Sequence, residues 1–97
     1  MDVQIVGIPW YKKDNFKKLR RLFDDGHKLH DTHREWLAAA DQLRERLEAQ
    51  GVRVVRVDID PHEFASWCQA EGCKLDADAR NRYASMIAYR TFAQDRH

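Results

Sequence analysis

Three groups of residues in this 97-residue chain have the types and spacing that chemistry requires. The first lies in VRVVRVDIDPHEF, residues 52–64, where Asp58, Asp60, His62 and Glu63 crowd the junction of two apolar runs. Asp58 and Asp60 flank Ile59 and so lie on one side of an extended chain. With His62 or Glu63 they could exchange protons with a substrate or hold Mg²⁺. The same residues also make a good helix start. Asp60 serves as N-cap, Pro61 occupies the first helical position and Glu63 is the capping-box acid, with Ile59 and Phe64 at the staple positions. That use leaves only Asp58 and His62 unassigned.

The second group is basic. Residues 11–22 hold Lys12, Lys13, Lys17, Lys18, Arg20 and Arg21 against Asp14 alone, while the rest of the chain carries eleven basic and fifteen acidic residues. Clustered cations attract the phosphates of a nucleic acid, and Trp10 and Tyr11 stand beside them to stack on bases. The plainer account is a solvated helix face opposite Phe16, Leu19 and Leu22. A formal net charge of +1 favours that account, because small nucleic-acid binders are usually far more basic.

The third group is His27, His30 and His33, with Asp24, Asp25 and Asp31 nearby. Imidazoles and carboxylates bind divalent metals, but an i, i+3, i+6 spacing across a loop does not converge as helical i, i+4 ligands do. These histidines therefore read as a polar loop with pH-sensitive charge. Cys68 and Cys73 are spaced C-x4-C, neither the redox C-x-x-C nor half of a zinc finger, and read as reduced thiols with Cys68 in a core.

Phosphate-loop, dinucleotide, nucleophile-elbow and zinc-protease motifs are missing from the sequence. No cofactor or metal is expected. No apolar run approaches the roughly 20 residues that a membrane helix needs, and the N-terminus lacks the basic start of a signal peptide, so a cytoplasmic protein without a membrane partner is expected.

The elements that must position these groups follow from period and punctuation. The run at residues 3–8, ended by Pro9, predicts a first strand. Asp14 is placed to cap a helix with Phe16, Leu19, Leu22 and Phe23 on one face, and Gly26 to end it. A loop over 26–31 precedes the Thr32–Glu35 capping box. Trp36, Ala40, Leu43 and Leu47 then mark the apolar stripe of a long helix closed by Gly51. A second strand over 52–59 shows Val55, Val57 and Ile59 on one face and Val54, Arg56 and Asp58 on the other. A third helix buries Phe64, Trp67 and Cys68 and stops near Gly72. Asp76 caps a fourth that runs to about residue 95. On this last helix Tyr83, Met86 and Ile87 form one apolar patch, and Tyr89 and Phe92 lie well round the cylinder.

The order is β-α-α-β-α-α in a single α/β (or α+β) domain over residues 1–97, a two-stranded sheet packed on four helices. Two strands make a marginal sheet, so a homodimer with four strands across a twofold axis is expected. The two intervening helices favour a down-and-back path, which makes the strands antiparallel and separates Trp10 from Asp58. A parallel crossover would instead gather Trp10, Tyr11, Asp58 and His62 into one ligand-binding pocket. The sequence thus predicts a small soluble interaction or oligomerisation module rather than an enzyme, with itself or another protein as partner. The alternative is a nucleic-acid-associated protein using Lys12–Arg21. The third reading is a small metal-binding protein or hydrolase at Asp58, Asp60 and His62.

Overall fold

A computed structural model describes residues 4–95, so Val3 of the expected first strand lies outside the described residues. Strand β1 spans Ile5–Trp10. A 3-10 turn at Lys13–Asn15 leads into helix α1, Phe16–Leu22, and a second such turn at Gly26–Lys28 precedes α2, His33–Ala49. Strand β2 is Arg53–Asp58, followed by α3, Pro61–Glu71, and α4, Ala77–Asp95. The mixed α/β domain with two strands and four helices agrees with the sequence reading.

The strands are parallel, with Ile5 opposite Arg53 and Trp10 opposite Asp58. This corrects the antiparallel expectation, and helix length explains the error. The seven residues of α1 rise about 10 Å, roughly half the length of a six-residue strand, whereas the 17 residues of α2 rise about 25 Å. Only α2 is long enough to carry the chain back along the sheet. Two helices therefore make one crossover.

Pro9 sits inside β1 instead of ending it. The N–H of Arg53 donates to the Gln4 carbonyl and that of Ile59 to the Trp10 carbonyl. In a parallel ladder this alternation turns the even-numbered groups of β1 toward β2 and the odd-numbered ones outward. The missing N–H of Pro9 therefore falls on the free edge, where a strand tolerates proline.

Helix α2 packs on the Ile8 and Trp10 face of the sheet, with Trp36 5.2 Å from Trp10 in an edge-on contact. Helix α4 lies on the opposite face, over Gly7. A Cβ on Gly7 would fall 2.3 Å from the Ala84 carbonyl oxygen and 2.9 Å from the Ala88 Cβ. The missing side chain lets this helix sit almost on the strand backbone. The fully buried Phe64 on α3 meets Phe23, Trp67 and Tyr83 to fill the space beside it.

Several helix ends follow local chemistry. Thr32 accepts from the Glu35 N–H at 3.2 Å, Asp60 from the N–H groups of His62 and Glu63, and Asp76 from that of Ala79. Gly51 and Gly72 have φ of 84° and 66°, the left-handed conformation expected of them. The Gly72 N–H reaches the Gln69 carbonyl and the Cys73 N–H the Cys68 carbonyl, a paired C-terminal cap that brings the two cysteines together. Burial, then the neighbouring Cys73, pushes the Cys68 thiol up to about 12, so at neutral pH it is a protonated core group.

Three local expectations fail. Asp14 lies in the 3-10 turn, and Asn15 takes the N-cap of α1 without a side-chain bond. Gly26 is a buried member of the following turn instead of a left-handed stop. Leu43 is 41% exposed because only the first half of the α2 stripe, Trp36 and Ala40, reaches the core.

Candidate functional site

The parallel sheet brings together part of the strand-end constellation. Trp10 and Asp58 are register partners, and Lys12 Nζ approaches the Asp58 carboxylate at 3.7 Å. The aromatic rings are taken up by their own packing. Tyr11 is buried at 4% exposure against Trp36, with centroids 4.7 Å apart. Trp10 rests on Trp36, and the Arg56 guanidinium lies 5.5 Å from its centroid. The Asp60 carboxylate accepts two helix-end N–H groups, one of them from His62, whose side chain is exposed. These residues sit at one end of the sheet, and Asp58 and Asp60 line neither of the two cavities beside α1.

Two open recesses lie beside α1, against residues 26–33. One cavity of about 410 Å³ is lined by Lys17, Arg20, Arg21, Gly26, His27 and Asp31. A second of about 250 Å³ shares Lys17 and Asp31 and adds Lys13, Asp14, Phe16, Thr32 and His33. Together they form one cleft with cationic walls.

Local chemistry shapes this cleft. Phe16 and Leu19 bury one side of α1, which turns Lys17, Arg20 and Arg21, spaced i, i+3, i+4, to the other. Gly26 brings the returning chain against α1: a Cβ there would lie 1.7 Å from the Arg20 carbonyl oxygen. That contact sets His27 beside the arginines.

Two acids clamp the loop to the opposite end of the chain. The Asp24 N–H donates to the Leu75 carbonyl at 2.7 Å, and its carboxylate accepts the Leu75 N–H at 3.2 Å. Asp25 receives a bidentate pair from Arg80 at 2.7 and 3.1 Å, and the Arg80 guanidinium also covers the Phe23 ring at 4.3 Å. Arg80 is 6% exposed, a buried cation neutralised by one carboxylate. Asp24 and Asp25, candidates for a metal site on sequence, act here as structural clips.

Arg80 holds the Asp25 carboxyl below its ordinary pKa, chiefly through their hydrogen bonds. A depressed carboxylate pKa stabilises the fold above the unfolded value and loses that contribution as pH falls through the folded one. Urea midpoints measured from neutral to acid pH are therefore expected to drop below about pH 4. Asp25→Asn should flatten that drop, and an unchanged slope would contradict the assignment. Burial raises the Tyr11 phenol, and the nearby Arg80 charge offsets part of the rise.

The loop histidines do not converge. The His33 ring lies between Phe16 and Trp36, and its Nε2 is 2.8 Å from the Tyr11 carbonyl. A carbonyl only accepts, so Nε2 carries the proton. His27 faces the first cavity, and His30 is exposed and lines neither. No three His, Cys, Asp or Glu side chains among the described residues lie close enough to hold a metal ion.

The basic segment divides. Lys12 faces Asp58, while Lys13, Lys17, Arg20 and Arg21 line the cleft and Lys18 is exposed outside it. Arg20 Nη2 reaches Asp31 at 3.4 Å, a long contact, and its Nε is buried without a partner. Sequence reasoning found the cations but missed that His27 and Asp31 complete the cleft. The signal available was Gly26, assigned to a helix end.

A family model for a domain of unknown function, DUF8829, matches residues 3–97. The chain belongs to that family. No curated protein and no solved structure matches it. Among the described residues no helix is long and apolar enough to cross a membrane. The family description carries no activity, so a functional reading has to come from the edges and cavities of the fold.

Proposed function

We propose that this domain is an interaction module in which the free edge of β2 pairs with the same edge of a second copy. The observation that carries this reading is the asymmetry of the sheet's two edges. Pro9 leaves a gap in the donors along the outer edge of β1. The ladder alternation turns the backbone groups of Val54, Arg56 and Asp58 outward from β2, and no described strand lies beyond them. Arg56 and Asp58 are exposed, which fits an edge open to a partner.

Twofold pairing of β2 with itself is antiparallel and gives a four-stranded sheet in the order β1-β2-β2-β1. That extension supplies the strands a two-stranded sheet lacks. It would also pair the outward amides of β2 across the twofold axis. The charged side chains at Arg56 and Asp58 keep the edge soluble until a matched strand arrives.

The test is sedimentation equilibrium of the intact chain over micromolar concentrations, with Arg56→Pro as the variant. The Arg56 N–H points outward, so proline there spares the ladder between β1 and β2. Two symmetry-related hydrogen bonds would be lost, worth about 1–3 kcal/mol together, or about 5- to 150-fold in the dimer Kd. A wild-type chain that stays at 11.5 kDa throughout would refute the reading, as would an Arg56→Pro dimer of undiminished affinity.

A further inference from the structure

We infer that the cleft between α1 and residues 26–31 is a binding site for a phosphate monoester. Lys17, Arg20 and Arg21 line a cavity of about 410 Å³ in which Asp31 is the sole carboxylate. That volume falls in the range of small-molecule pockets. Three fixed positive charges around one such space suit a compact dianion, and guanidinium groups meet phosphate oxygens through paired, charge-assisted hydrogen bonds.

Arg20 carries a buried, unsatisfied donor in the wall. Its Nε–H has no acceptor, and its Nη2 has only the 3.4 Å contact to an Asp31 side chain that is 90% exposed. A guanidinium carries five donors, so Arg20 retains capacity for the oxygens of a ligand. A phosphate oxygen in the cleft would take over the Nη2 donor from Asp31 at shorter range. The clips from Asp24 to Leu75 and from Asp25 to Arg80 hold the opposite wall, so the site is formed before the ligand arrives.

The same geometry disfavours a nucleic-acid strand. Bases need free aromatic faces, and both nearby rings are engaged: Tyr11 is buried and Trp10 lies between Trp36 and Arg56. Lys12, the next cation along the segment, is drawn toward Asp58 at 3.7 Å. Of the segment's cations, Lys17, Arg20 and Arg21 surround one space, which suits a single compact anion better than an extended backbone.

The proposal is tested by ¹⁵N NMR titration of the intact chain with inorganic phosphate, phenyl phosphate and an oligothymidylate at constant ionic strength. Expected is saturable one-to-one binding of phosphate and phenyl phosphate that shifts the amides of Lys17, Arg21, Gly26 and His27. Removing one charge-assisted contact by Lys17→Met or Arg20→Met should weaken phenyl phosphate by about tenfold, while Lys12→Met and Lys18→Met leave it unchanged. Should Arg20→Met fail to fold, Lys17→Met and Arg21→Met, both at exposed positions, carry the same test. Shifts that do not saturate, or an equal loss from Lys12→Met and Lys18→Met, overturn the proposal. Oligothymidylate binding tighter than phenyl phosphate, with all the basic residues contributing alike, overturns it in favour of a nucleic-acid surface. None of these readouts depends on the oligomeric state.

Discussion

Replacing Gly7 with alanine is expected to destabilise the domain by about 3 kcal/mol, at the upper end of what overpacking usually costs. The added methyl would meet the Ala84 carbonyl oxygen at 2.3 Å, the Ala84 carbonyl carbon at 2.8 Å and the Ala88 Cβ at 2.9 Å. Two of these atoms are backbone and the third is a methyl with no rotamer to change. Relief requires α4 to move off β1, and that movement would open the layer in which Ala84 and Ala88 are buried. The β-propensity of alanine offers no compensation, because the conflict lies between elements and not within the strand. A loss of this size is a large part of the stability of a small domain. Urea denaturation at neutral pH checks it: with a slope of about 1–3 kcal/mol/M the midpoint should fall by at least about 1 M. A midpoint within error of the wild type would mean that α4 does not approach the strand so closely.

Removing Asp25 should cost a similar amount by a different route. Asp25→Ala leaves Arg80, with a side chain 7% exposed, as a buried cation whose bidentate partner has gone. Breaking a buried pair from one side typically costs about 3–5 kcal/mol, because the remaining charge keeps its desolvation penalty. Asp25 is itself 21% exposed on its side chain, which admits some water and sets the expectation at about 3 kcal/mol. The face of Phe23 continues to support the guanidinium but cannot replace two hydrogen bonds. The double variant Asp25→Leu, Arg80→Met should recover most of the loss, since apolar replacement of both partners is often neutral. A double-mutant cycle by urea denaturation measures the coupling. If the single and double variants lose the same amount, the pair contributes packing and not charge compensation. The pair also ties residues 24–25 to α4, so Asp25→Ala is expected to loosen the wall of the phosphate cleft as well.

Much of the element pattern was legible because it rests on short-range chemistry. Thr32, Asp60 and Asp76 each bond N–H groups two or three residues ahead, and Gly51 and Gly72 supply backbone angles that other residues avoid. The opposed faces of β2 also followed directly, with Val57 and Ile59 buried and Arg56 and Asp58 exposed. Where such signals failed, a contact outside the local pattern had overruled them. Pro9 reads as a strand end until its missing N–H is seen to face the free edge of β1. Gly26 reads as a helix stop until its Cα is seen against the Arg20 carbonyl.

The candidate site was legible in its ingredients and not in its assembly. Lys17, Arg20 and Arg21 share a helix face by periodicity alone, so a basic surface was readable. Which of these cations line a common space with His27 and Asp31 depends on the return of the loop, and no local pattern specifies that path.

The sequence by itself determined the two strands and four α-helices, most of their caps and the absence of any familiar catalytic motif. Those features depend on residues within about one or two helical turns of each other. The tertiary structure alone decided the parallel direction of the strands, the seating of α4 on Gly7, the pairing of Asp25 with Arg80 and the cleft beside α1. The first three are contacts between residues far apart in the chain, Asp25 and Arg80 being separated by 55 positions, and the cleft depends on how the loop returns. The propensities of individual residues carry no record of which distant partner will meet them, and packing makes that choice.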